Sequence, residues 1–395
     1  MPTVKGISIL GATGSIGRNT CRVLEGMEDR FRVVSLAAGG NLDLLLEQVT
    51  RFHPKIVSLR DKEKEPELQT RLKKAGYTEP LKIVSGTAGM VEAATDADVD
   101  LVVSAAHGVT GLEATYRAIE AGKDVALANK ETLVVAGSLV TRLAQKTGSE
   151  ILPVDSEHNA IHQCLRAGRR EEVRSIILTA SGGPFLKTPG EQMDSIQPEE
   201  ALKHPTWKMG GRITVDSATL MNKGFEIIEA CWLFGLPPEA IEVVIHPQSV
   251  VHSMVEFHDG SVMAQMGVTD MQLPIRYALT YPERLPENGA SGSLSWREIK
   301  RFDFEPPDTG RFPCLDLARQ ALEAGESMPC ALNAADEVAV EAFLERKLKF
   351  TDIPRVVERV LQASPVRPFK TLNDVWEQDR EARERARQYL QKEFT

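Results

Sequence analysis

From Val4 to Val154 the chain alternates short runs of β-branched residues with longer amphipathic stretches. This alternation is typical of βαβ units, in which helices cover the faces of a parallel sheet. We therefore predict an α/β fold that begins with a Rossmann-like, doubly wound parallel sheet over residues 1–154. The predicted strands are Ile7-Leu10, Val33-Ala37, Ile56-Leu59, Ile83-Ser85, Leu101-Ser104 and Val125-Ala128, with another approaching Asp155. The predicted helices between them include Gly111-Ala121 and Thr132-Lys146.

The rest of the chain divides into a mixed region, a linker and a helical region. Residues 155–281 are predicted to form a central α+β domain with a hairpin, in which Val250-Phe257 and Ser261-Met266 flank an Asp-Gly turn. Residues 282–313 are rich in proline and glycine, which predicts a linker over the surface. A C-terminal helical bundle is predicted over residues 314–395. Its helices are Leu315-Glu323, Ala334-Glu345, Ile353-Gln362 and Leu372-Gln391.

Composition and charge exclude several classes of function. Among 395 residues, 47 Lys and Arg are outnumbered by 56 Asp and Glu, so nucleic-acid binding is not expected as the main function. No apolar stretch reaches the roughly 18 residues of a membrane span. Because the N-terminus also lacks a secretory signal pattern, we expect a cytoplasmic protein. The five cysteines form no C-x-x-C pair, so neither a disulfide framework nor a zinc site is predicted.

A glycine-rich turn follows the first predicted strand. The residues from Gly11 to Gly17 read Gly-Ala-Thr-Gly-Ser-Ile-Gly and precede a predicted helix, so backbone N–H groups there can hold a pyrophosphate. The alternative is a turn that only caps the helix. An NAD site has Asp or Glu at the end of the second strand. Here that strand is followed by Gly39-Gly40-Asn41, which favours NADP(H), and Arg60 is a candidate partner for the 2′-phosphate.

Two acidic groups have spacings that suit a metal ion. If the backbone stays extended after the strand that ends near Val154, Asp155 and Glu157 face the same side. Two such carboxylates repel each other unless a cation bridges them, and all-oxygen ligation suits Mg²⁺ or Mn²⁺. A capping Asp beside a surface Glu is the alternative.

The second acidic group lies on a predicted helix. Asn222 and Lys223 precede Glu226 by four and three residues, so an amide, an ammonium and a carboxylate share one helix face. That face can bind an anion beside a metal. The alternative is a surface pair between Lys223 and Glu226, worth a few tenths of a kcal/mol.

Taken together, several segments in this order resemble the 1-deoxy-D-xylulose 5-phosphate reductoisomerase family, and the resemblance covers essentially the whole chain. These segments are Gly11-Ala12-Thr13-Gly14-Ser15-Ile16-Gly17, Ala128-Asn129-Lys130-Glu131, Pro153-Val154-Asp155-Ser156-Glu157-His158, Ala180-Ser181-Gly182-Gly183-Pro184-Phe185, His204-Pro205-Thr206-Trp207-Lys208-Met209-Gly210, Val215-Asp216-Ser217-Ala218-Thr219-Leu220-Met221-Asn222-Lys223-Gly224 and His246-Pro247-Gln248-Ser249-Val250-Val251-His252-Ser253. The resemblance implies NADPH-dependent and Mg²⁺- or Mn²⁺-dependent conversion of 1-deoxy-D-xylulose 5-phosphate into 2-C-methyl-D-erythritol 4-phosphate, a step of isoprenoid synthesis.

The resemblance also implies a set of site residues. The metal ligands would be Asp155, Glu157 and Glu226. The substrate residues would be Lys130, Ser156, Glu157, Ser181, His204, Ser217, Asn222, Lys223 and Glu226. The NADPH residues would be Thr13, Gly14, Ser15, Ile16, Gly39, Gly40, Asn41, Asn129, Glu131 and Gly210. The catalytic group would comprise Lys130, Glu157, His158, His204, Trp207 and His252.

Some implied features concern larger parts of the chain. Residues 155–281 would carry the catalytic, metal-binding and dimerisation functions of a homodimer, and Pro184 to Gly211 would form a lid that includes Trp207. Trp207 is then a cover for the site, whereas the alternative is an ordinary buried anchor. The three histidines orient substrate or relay protons, unless they are structural. Many family members carry Lys or Arg where this chain has Gly40.

Two other functions compete with this interpretation. An aldehyde or semialdehyde dehydrogenase needs a nucleophilic cysteine near the nicotinamide, and Cys164 is the candidate, although its sequence neighbours include no obvious activating group. A non-catalytic NADPH-sensing or scaffold protein would keep the fold alone.

Overall fold

The computed structural model describes residues 4–207, 209–286 and 292–394, which fall into two compact units. The first unit comprises Met1–Thr132, Val140–Asn159 and Asp270–Gly292. The second comprises Leu133–Leu139, Ala160–Thr269 and Ser293–Thr395. Each unit combines separate stretches of the chain, whereas the division at residues 154, 281 and 313 assumes consecutive segments and stays a prediction.

The first unit contains the predicted doubly wound sheet. Its seven strands are β1 (Lys5–Leu10), β2 (Phe31–Ala38), β3 (Ile56–Leu59), β4 (Lys82–Ser85), β5 (Leu101–Ser104), β6 (Asp124–Leu127) and β7 (Ile151–Pro153). All are parallel, in the order β4-β3-β2-β1-β5-β6-β7. The strand order reverses between β1 and β5, and ligands of open α/β sheets bind outside the carboxyl ends of strands at such a point. The predicted Rossmann-like sheet is confirmed.

Helices flank this sheet, and their apolar faces build the core of the first unit. They are α1 (Ser15–Leu24), α2 (Leu42–Phe52), α3 (Glu65–Lys74), α4 (Gly86–Thr95), α5 (Leu112–Glu120), α6 (Glu131–Thr147), α7 (Ser156–Cys164) and α11 (Gln272–Thr280), of which α6 and α7 extend beyond the unit. The strands are apolar on both faces because both are covered: Ile7, Ile9 and Leu10 of β1 are all fully buried. The predicted helices over 111–121 and 132–146 correspond to α5 and α6, with shifts of one residue at each end.

A second, four-stranded sheet lies in the second unit. Its strands are β8 (Val173–Ala180), β9 (Ile241–Ile245), β10 (Val251–Phe257) and β11 (Val262–Met266), in the order β11-β10-β8-β9. The predicted hairpin is confirmed, because β10 and β11 are antiparallel neighbours joined across the Asp-Gly turn. β11 is therefore an edge strand of this sheet. Three helices accompany the sheet along the chain: α8 (Pro198–Ala201), α9 (Gly211–Ala218) and α10 (Met221–Phe234).

The predicted C-terminal helical region is also confirmed. Its helices are α12 (Cys314–Ala324), α13 (Ser327–Leu344), α14 (Ile353–Ala363) and α15 (Leu372–Glu393), and α13 packs against the other three. The predicted start of α13 at Ala334 is wrong by seven residues. The true first turns, including Met328 and Cys330, are buried on nearly every side and so show no amphipathic period.

From Ser293 onward, the linker predicted over 282–313 belongs to the second unit. Glu305 forms a bridge to Ile245 at the end of β9, and Phe312 is buried in the core of the unit. Part of this linker, residues 287–291, lies outside the described residues.

Candidate active site

The glycine-rich turn has the geometry of a nucleotide-binding turn. Gly11 has a φ of +87°, and a Cβ on it would lie 2.4 Å from the carbonyl oxygen of Ala105, so only glycine fits between β1 and β5. The N–H groups of Gly11 and Ala12 donate to the Ala37 oxygen at 2.9 and 2.8 Å. Gly14 is the N-cap of α1 and has no side chain to cap it, so the turn leaves helix N–H groups available to an anion.

The end of β2 lies beside this turn. Gly39, Gly40 and Asn41 follow the strand, and the Asn41 side chain accepts a hydrogen bond from the Leu44 N–H at 3.1 Å. Asn41 is therefore the N-cap of α2. Its N-capping role fixes the backbone that leaves the sheet, and both Gly40 and Asn41 are exposed.

Asn129, Lys130 and Glu131 follow β6, at the same edge of the sheet. The buried Asn129 amide donates to the carbonyl oxygens of Ala106 and Gly108 at 2.6 and 2.7 Å. Its Oδ1 is buried and accepts no hydrogen bond among the described residues, so it offers an acceptor to a ligand. The buried Lys130 ammonium pairs with Asp155 Oδ2 at 2.5 Å, and Glu131 begins α6.

Asp155 and Glu157 do not lie on an extended backbone, so the spacing argument for this pair is wrong. Helix α7 begins at Ser156, and the Asn159 N–H donates to the Asp155 carbonyl oxygen at 2.8 Å, which makes Asp155 the N-cap residue. The Ser156 hydroxyl donates to Glu157 Oε2 at 2.5 Å. The alternative prediction that Asp155 caps a helix is thus correct for the position of its backbone. Its side chain, however, pairs with Lys130.

His158 lies one turn into α7 and is fully buried. Its Nδ1 is 3.9 Å from Asp155 Oδ2. Within the first unit, the structure therefore brings the Lys130 ammonium and the His158 imidazole to one carboxylate, that of Asp155.

In the second unit, Ser181 follows β8 and meets His204. The His204 Nδ1 accepts hydrogen bonds from the N–H groups of Thr206 and Trp207, at 3.2 and 2.9 Å. The ring proton of a neutral His204 is therefore on Nε2, which donates to Ser181 Oγ at 2.9 Å. The Gly183 N–H also donates to this Oγ, at 3.2 Å. Because Ser181 Oγ accepts two hydrogen bonds, its own proton can be donated to a further acceptor.

The segment from α9 to α10 lies against the Ser181 loop. A Cβ on Gly183 would lie 2.8 Å from the Ser217 carbonyl oxygen, so the two backbones are in close contact. On α10 the Asn222 amide donates to Glu226 Oε1 at 2.6 Å, and the Lys223 ammonium pairs with Glu226 Oε2. The predicted shared helix face is confirmed. The alternative, a pair of Lys223 and Glu226 at the surface, is wrong, because these residues are only 3% and 1% exposed.

Trp207 and His252 are neighbours, with ring centroids 6.4 Å apart. Trp207 is half-buried and His252, on β10, is buried. Gly210 is exposed and is the N-cap of α9. The lid over residues 184–211 stays a prediction, and Lys208 within it lies outside the described residues.

Glu229, a fully buried carboxylate on α10, was not among the predicted site residues. It follows Glu226 by three residues, and that spacing places both on one helix face. The signal that could have found it is this i,i+3 repeat of acidic residues within an apolar helix. His162 was not predicted either; burial lowers its pKa to about 4 and keeps it neutral at pH 7.

The cysteines lack the environment of a nucleophile. Cys164 is buried in the core of the second unit, and burial raises the pKa of the Cys21 and Cys231 thiols to about 12. Burial also raises the pKa of Cys314 and Cys330 well above the ordinary value. These four remain thiols at neutral pH. Within the described ranges, none of the helices is both long and apolar enough to cross a membrane.

Family models match three stretches of the chain. Residues 7–137 match 1-deoxy-D-xylulose 5-phosphate reductoisomerase, residues 151–234 match the C-terminal domain of that enzyme, and residues 266–385 match a DXP reductoisomerase C-terminal domain. The reductoisomerase of Solibacter usitatus is 50% identical over 98% of this chain and 97% of its own length. That of Chlorobaculum tepidum is 52% identical over 98% of this chain and 100% of its own length.

Solved structures are similar over nearly the full chain. The reductoisomerase from Zymomonas mobilis, in complex with NADPH, has a TM-score of 0.92 at 42% identity and covers 99% of this chain and 100% of its own. A DOX-P reductoisomerase in complex with NADPH, fosmidomycin and magnesium has a TM-score of 0.92 at 40% identity, with 98% of each chain covered.

Proposed function

The chain belongs to the 1-deoxy-D-xylulose 5-phosphate reductoisomerase family, and we propose that it acts as an enzyme of that family. It converts 1-deoxy-D-xylulose 5-phosphate into 2-C-methyl-D-erythritol 4-phosphate in the non-mevalonate isoprenoid pathway, with NADPH and a divalent metal ion as cofactors. The observation that carries this function is the 50% identity to a reductoisomerase over nearly the whole length of both chains.

A spectrophotometric assay tests this function. NADPH absorbance should fall only when the purified chain, 1-deoxy-D-xylulose 5-phosphate and Mg²⁺ or Mn²⁺ are all present. NADH should be a much poorer donor, because Gly39, Gly40 and Asn41 after β2 supply no carboxylate to bind its ribose 2′-hydroxyl. A complete mixture without NADPH oxidation would reject the function. Unchanged turnover after thorough chelation would reject the metal requirement alone.

For NADPH, the proposed binding residues are Thr13, Gly14, Ser15, Ile16, Gly39, Gly40, Asn41, Asn129, Glu131 and Gly210. Two observations support the fit of the first unit to this cofactor. The Gly11 turn presents helix N–H groups to an anion. The buried Asn129 Oδ1 offers a hydrogen-bond acceptor that suits an amide donor such as the carboxamide of a nicotinamide.

For the divalent ion, the proposed ligands are Asp155, Glu157 and Glu226. The donor set fits Mg²⁺ or Mn²⁺, because it consists of carboxylates alone. The Lys130 and Lys223 ammonium groups pair with Asp155 and Glu226, and a nearby positive charge favours the ionised form that a metal needs. When bound, the ion supplies Lewis-acid polarisation of the substrate carbonyl.

For the substrate phosphate, the proposed residues are Ser181, Ser217, Asn222 and Lys223. The hydrogen bonds of Ser181 support its role: it accepts from His204 and Gly183, so its hydroxyl proton is available to a phosphate oxygen. His204 then acts as a positioning residue for Ser181, in addition to any contact with substrate. Lys223 contributes a buried positive charge, which favours a dianion.

The remaining proposed residues are Lys130, Ser156 and Glu157 at the substrate, and His158, His252 and Trp207 around it. Ser156 holds Glu157 by its hydroxyl, and Lys130 holds Asp155, so each carboxylate has a neighbour that fixes its direction. Trp207, beside His252, supplies a large apolar surface that excludes water from the reacting carbons. We assign proton transfer to His158 and His252, which are both buried.

We also propose that the protein is a cytoplasmic homodimer. Edge strand β11 supports dimerisation, because Val262 and Met263 on it are 48% and 42% exposed. Met263→Glu should shift the dimer to monomer in light scattering after size-exclusion chromatography. Val366→Glu, at an exposed apolar residue outside the sheets, is the matched control. A wild-type monomer would reject the homodimer.

A further inference from the structure

Position 40, just after β2, is a glycine, and a lysine from another segment of the chain occupies the space beside it. A Cβ built on Gly40 would lie 2.6 Å from the Nζ of Lys64. Gly40 lies two residues beyond the end of β2, and Lys64 lies at the end of a short 3₁₀ helix, Lys62–Lys64, that follows β3. The ammonium of Lys64 thus lies directly against the backbone of Gly40.

A second cation lies at the same edge of the sheet. The backbone N–H of Arg60 donates to the Ala38 carbonyl oxygen at 3.0 Å, so the backbone of Arg60 lies beside the last residue of β2. Its guanidinium makes two hydrogen bonds to Asp61, at 3.0 and 3.3 Å, and Lys64 Nζ is 3.5 Å from the same carboxylate. The Asp61 carboxylate therefore contacts two cations, and the cluster of Arg60, Asp61 and Lys64 has a net positive charge.

This cluster has room for an anion. A Cβ on Gly39 would meet no heavy atom within 4 Å, so the space above that backbone is open. In doubly wound folds, the residues after the second strand face the 2′ position of the adenosine ribose. An ammonium and a guanidinium at that point match a phosphate monoester, which is doubly charged and accepts several hydrogen bonds.

We propose that Lys64, assisted by Arg60, binds the 2′-phosphate of NADPH and makes this chain prefer NADPH to NADH. The inference rests on the proposed function, because it presumes that the nucleotide occupies the Gly11 turn. Lys64 thereby supplies a basic side chain to this point from the segment after β3. Glycine at position 40 is part of this arrangement, since a side chain there would displace the Lys64 ammonium.

Nucleotide titrations of the purified protein without substrate test the proposal. By calorimetry, Lys64→Ala should raise the Kd for NADPH about ten-fold or more, since hydrogen bonds between charged groups are the strong ones. The Kd for NADH should change less than about two-fold. Lys62→Ala is the matched control, since it removes an exposed lysine from the same short helix, and it should change neither Kd by more than about two-fold. Arg60→Gln should weaken NADPH binding by a few-fold and leave NADH binding unchanged.

A double variant tests the location of the charge. Gly40 does not have a positive φ, and the atom that a side chain would meet is the end of a flexible lysine, so Gly40→Lys is compatible with the backbone once Lys64 is removed. Gly40→Lys combined with Lys64→Ala should recover most of the lost NADPH affinity without changing NADH binding. Melting temperatures of all variants check that the fold is intact.

The outcomes separate this inference from the proposed function. A wild-type chain that binds neither NADPH nor NADH would reject the proposed function. A wild-type chain that binds NADPH tightly, together with Lys64→Ala that binds it equally well, would overturn the role of Lys64 and leave the function standing. Equal weakening of NADPH and NADH by Lys64→Ala would also overturn it, because a contact to the 2′-phosphate cannot affect NADH.

Discussion

Two lysine–carboxylate contacts in this protein differ in how far they are exposed to water. On α10 of the second unit, Lys223 and Glu226 are 3% and 1% exposed and pair with each other. In the first unit, the side chains of Lys64 and Asp61 are 35% and 33% exposed. A buried pair cannot lose one partner without leaving an uncompensated charge, whereas an exposed pair is screened by water and salt. We therefore expect large, salt-insensitive effects from α10 and small, salt-sensitive ones from the Asp61 cluster.

The second unit buries further charges on α13 and α15. The Arg212 guanidinium is 3.5 Å from Asp336 Oδ2, and it also pairs with Glu337. Glu337 pairs in turn with Arg383, which binds Asp379 at 2.7 Å. Asp336 is fully buried, so this network is a second region in which removal of a single charge should be measurable.

The largest effect is expected from Glu226→Gln. It removes a proposed metal ligand, and Lewis-acid assistance is worth several kcal/mol, so kcat should fall on the order of a thousand-fold. The change also removes a counter-charge of the buried Lys223 and should lower the free energy of unfolding by up to about 3 kcal/mol. Steady-state assays and Mg²⁺ titration calorimetry measure the first effect, and chemical denaturation measures the second.

Glu242→Gln is the matched control for this variant, because Glu242 is an exposed glutamate on β9 of the same unit. It should leave activity and metal affinity unchanged. A Glu226→Gln protein that keeps wild-type Mg²⁺ affinity and turnover would remove Glu226 from the metal site, whatever its melting temperature.

Asp336→Asn should change how stability depends on pH. Desolvation raises the pKa of Asp336 from 3.8 to about 6, and the groups around it are Arg212, Asp216 and Glu337. Between these two pH values the folded state binds more protons than the unfolded state, so this group makes stability fall as the pH rises through that window. The stability of the Asn variant relative to wild type should therefore increase between pH 4 and pH 7, by roughly 3 kcal/mol.

An aspartate with the opposite shift provides the control. A hydrogen bond from Arg311 lowers the pKa of Asp308, which is exposed, so its contribution to stability is lost as the pH falls. Asp308→Asn should thus change the pH dependence in the opposite direction and by less. Parallel pH profiles for wild type and Asp336→Asn would contradict the buried-charge interpretation.

The accuracy of the sequence predictions follows from how local their physical signal is. Strands β3 and β5 match their predicted bounds residue for residue, since apolar runs between turn residues mark strands buried on both faces. The contact between Asn222 and Glu226 was predictable because helix geometry fixes it. The backbone of Asp155 was not, because the start of α7 decides whether neighbouring side chains share a side.

Contacts between distant segments left no signal in the sequence. Lys64 and Gly40 are separated by 24 positions, and only the pairing of β2 with β3 brings them together. The early start of α13 was missed for a related reason, since helices that pack around it remove the amphipathic period. Family likeness supplied the proposed grouping of site residues, which stays a prediction.

An intermediate effect is expected from Lys223→Ala. The buried ammonium is a proposed phosphate contact, and a hydrogen bond to a charged group is worth about 1.5–3 kcal/mol. The KM for 1-deoxy-D-xylulose 5-phosphate should rise about 10- to 100-fold, with a smaller change in kcat. The Kd for NADPH should not change, and Lys203→Ala, at an exposed lysine of the same unit, should alter neither constant. An unaffected KM would remove Lys223 from phosphate binding.

The smallest effect is expected from Asp61→Asn, which changes the more exposed of the two lysine–carboxylate contacts. The hydrogen bond from Arg60 lowers the pKa of Asp61, so the carboxylate is ionised at neutral pH and offsets part of the charge of Arg60 and Lys64. Its neutralisation should tighten NADPH binding about two- to five-fold at low salt and leave NADH binding unchanged. The free energy of unfolding should change little, because surface ion pairs contribute little to stability. Because screening acts on exposed charges, the gain should shrink as salt is added. A gain that persists at high salt, or one shared by NADH, would show that Asp61 acts on the nucleotide by some route other than the charge at its 2′-phosphate.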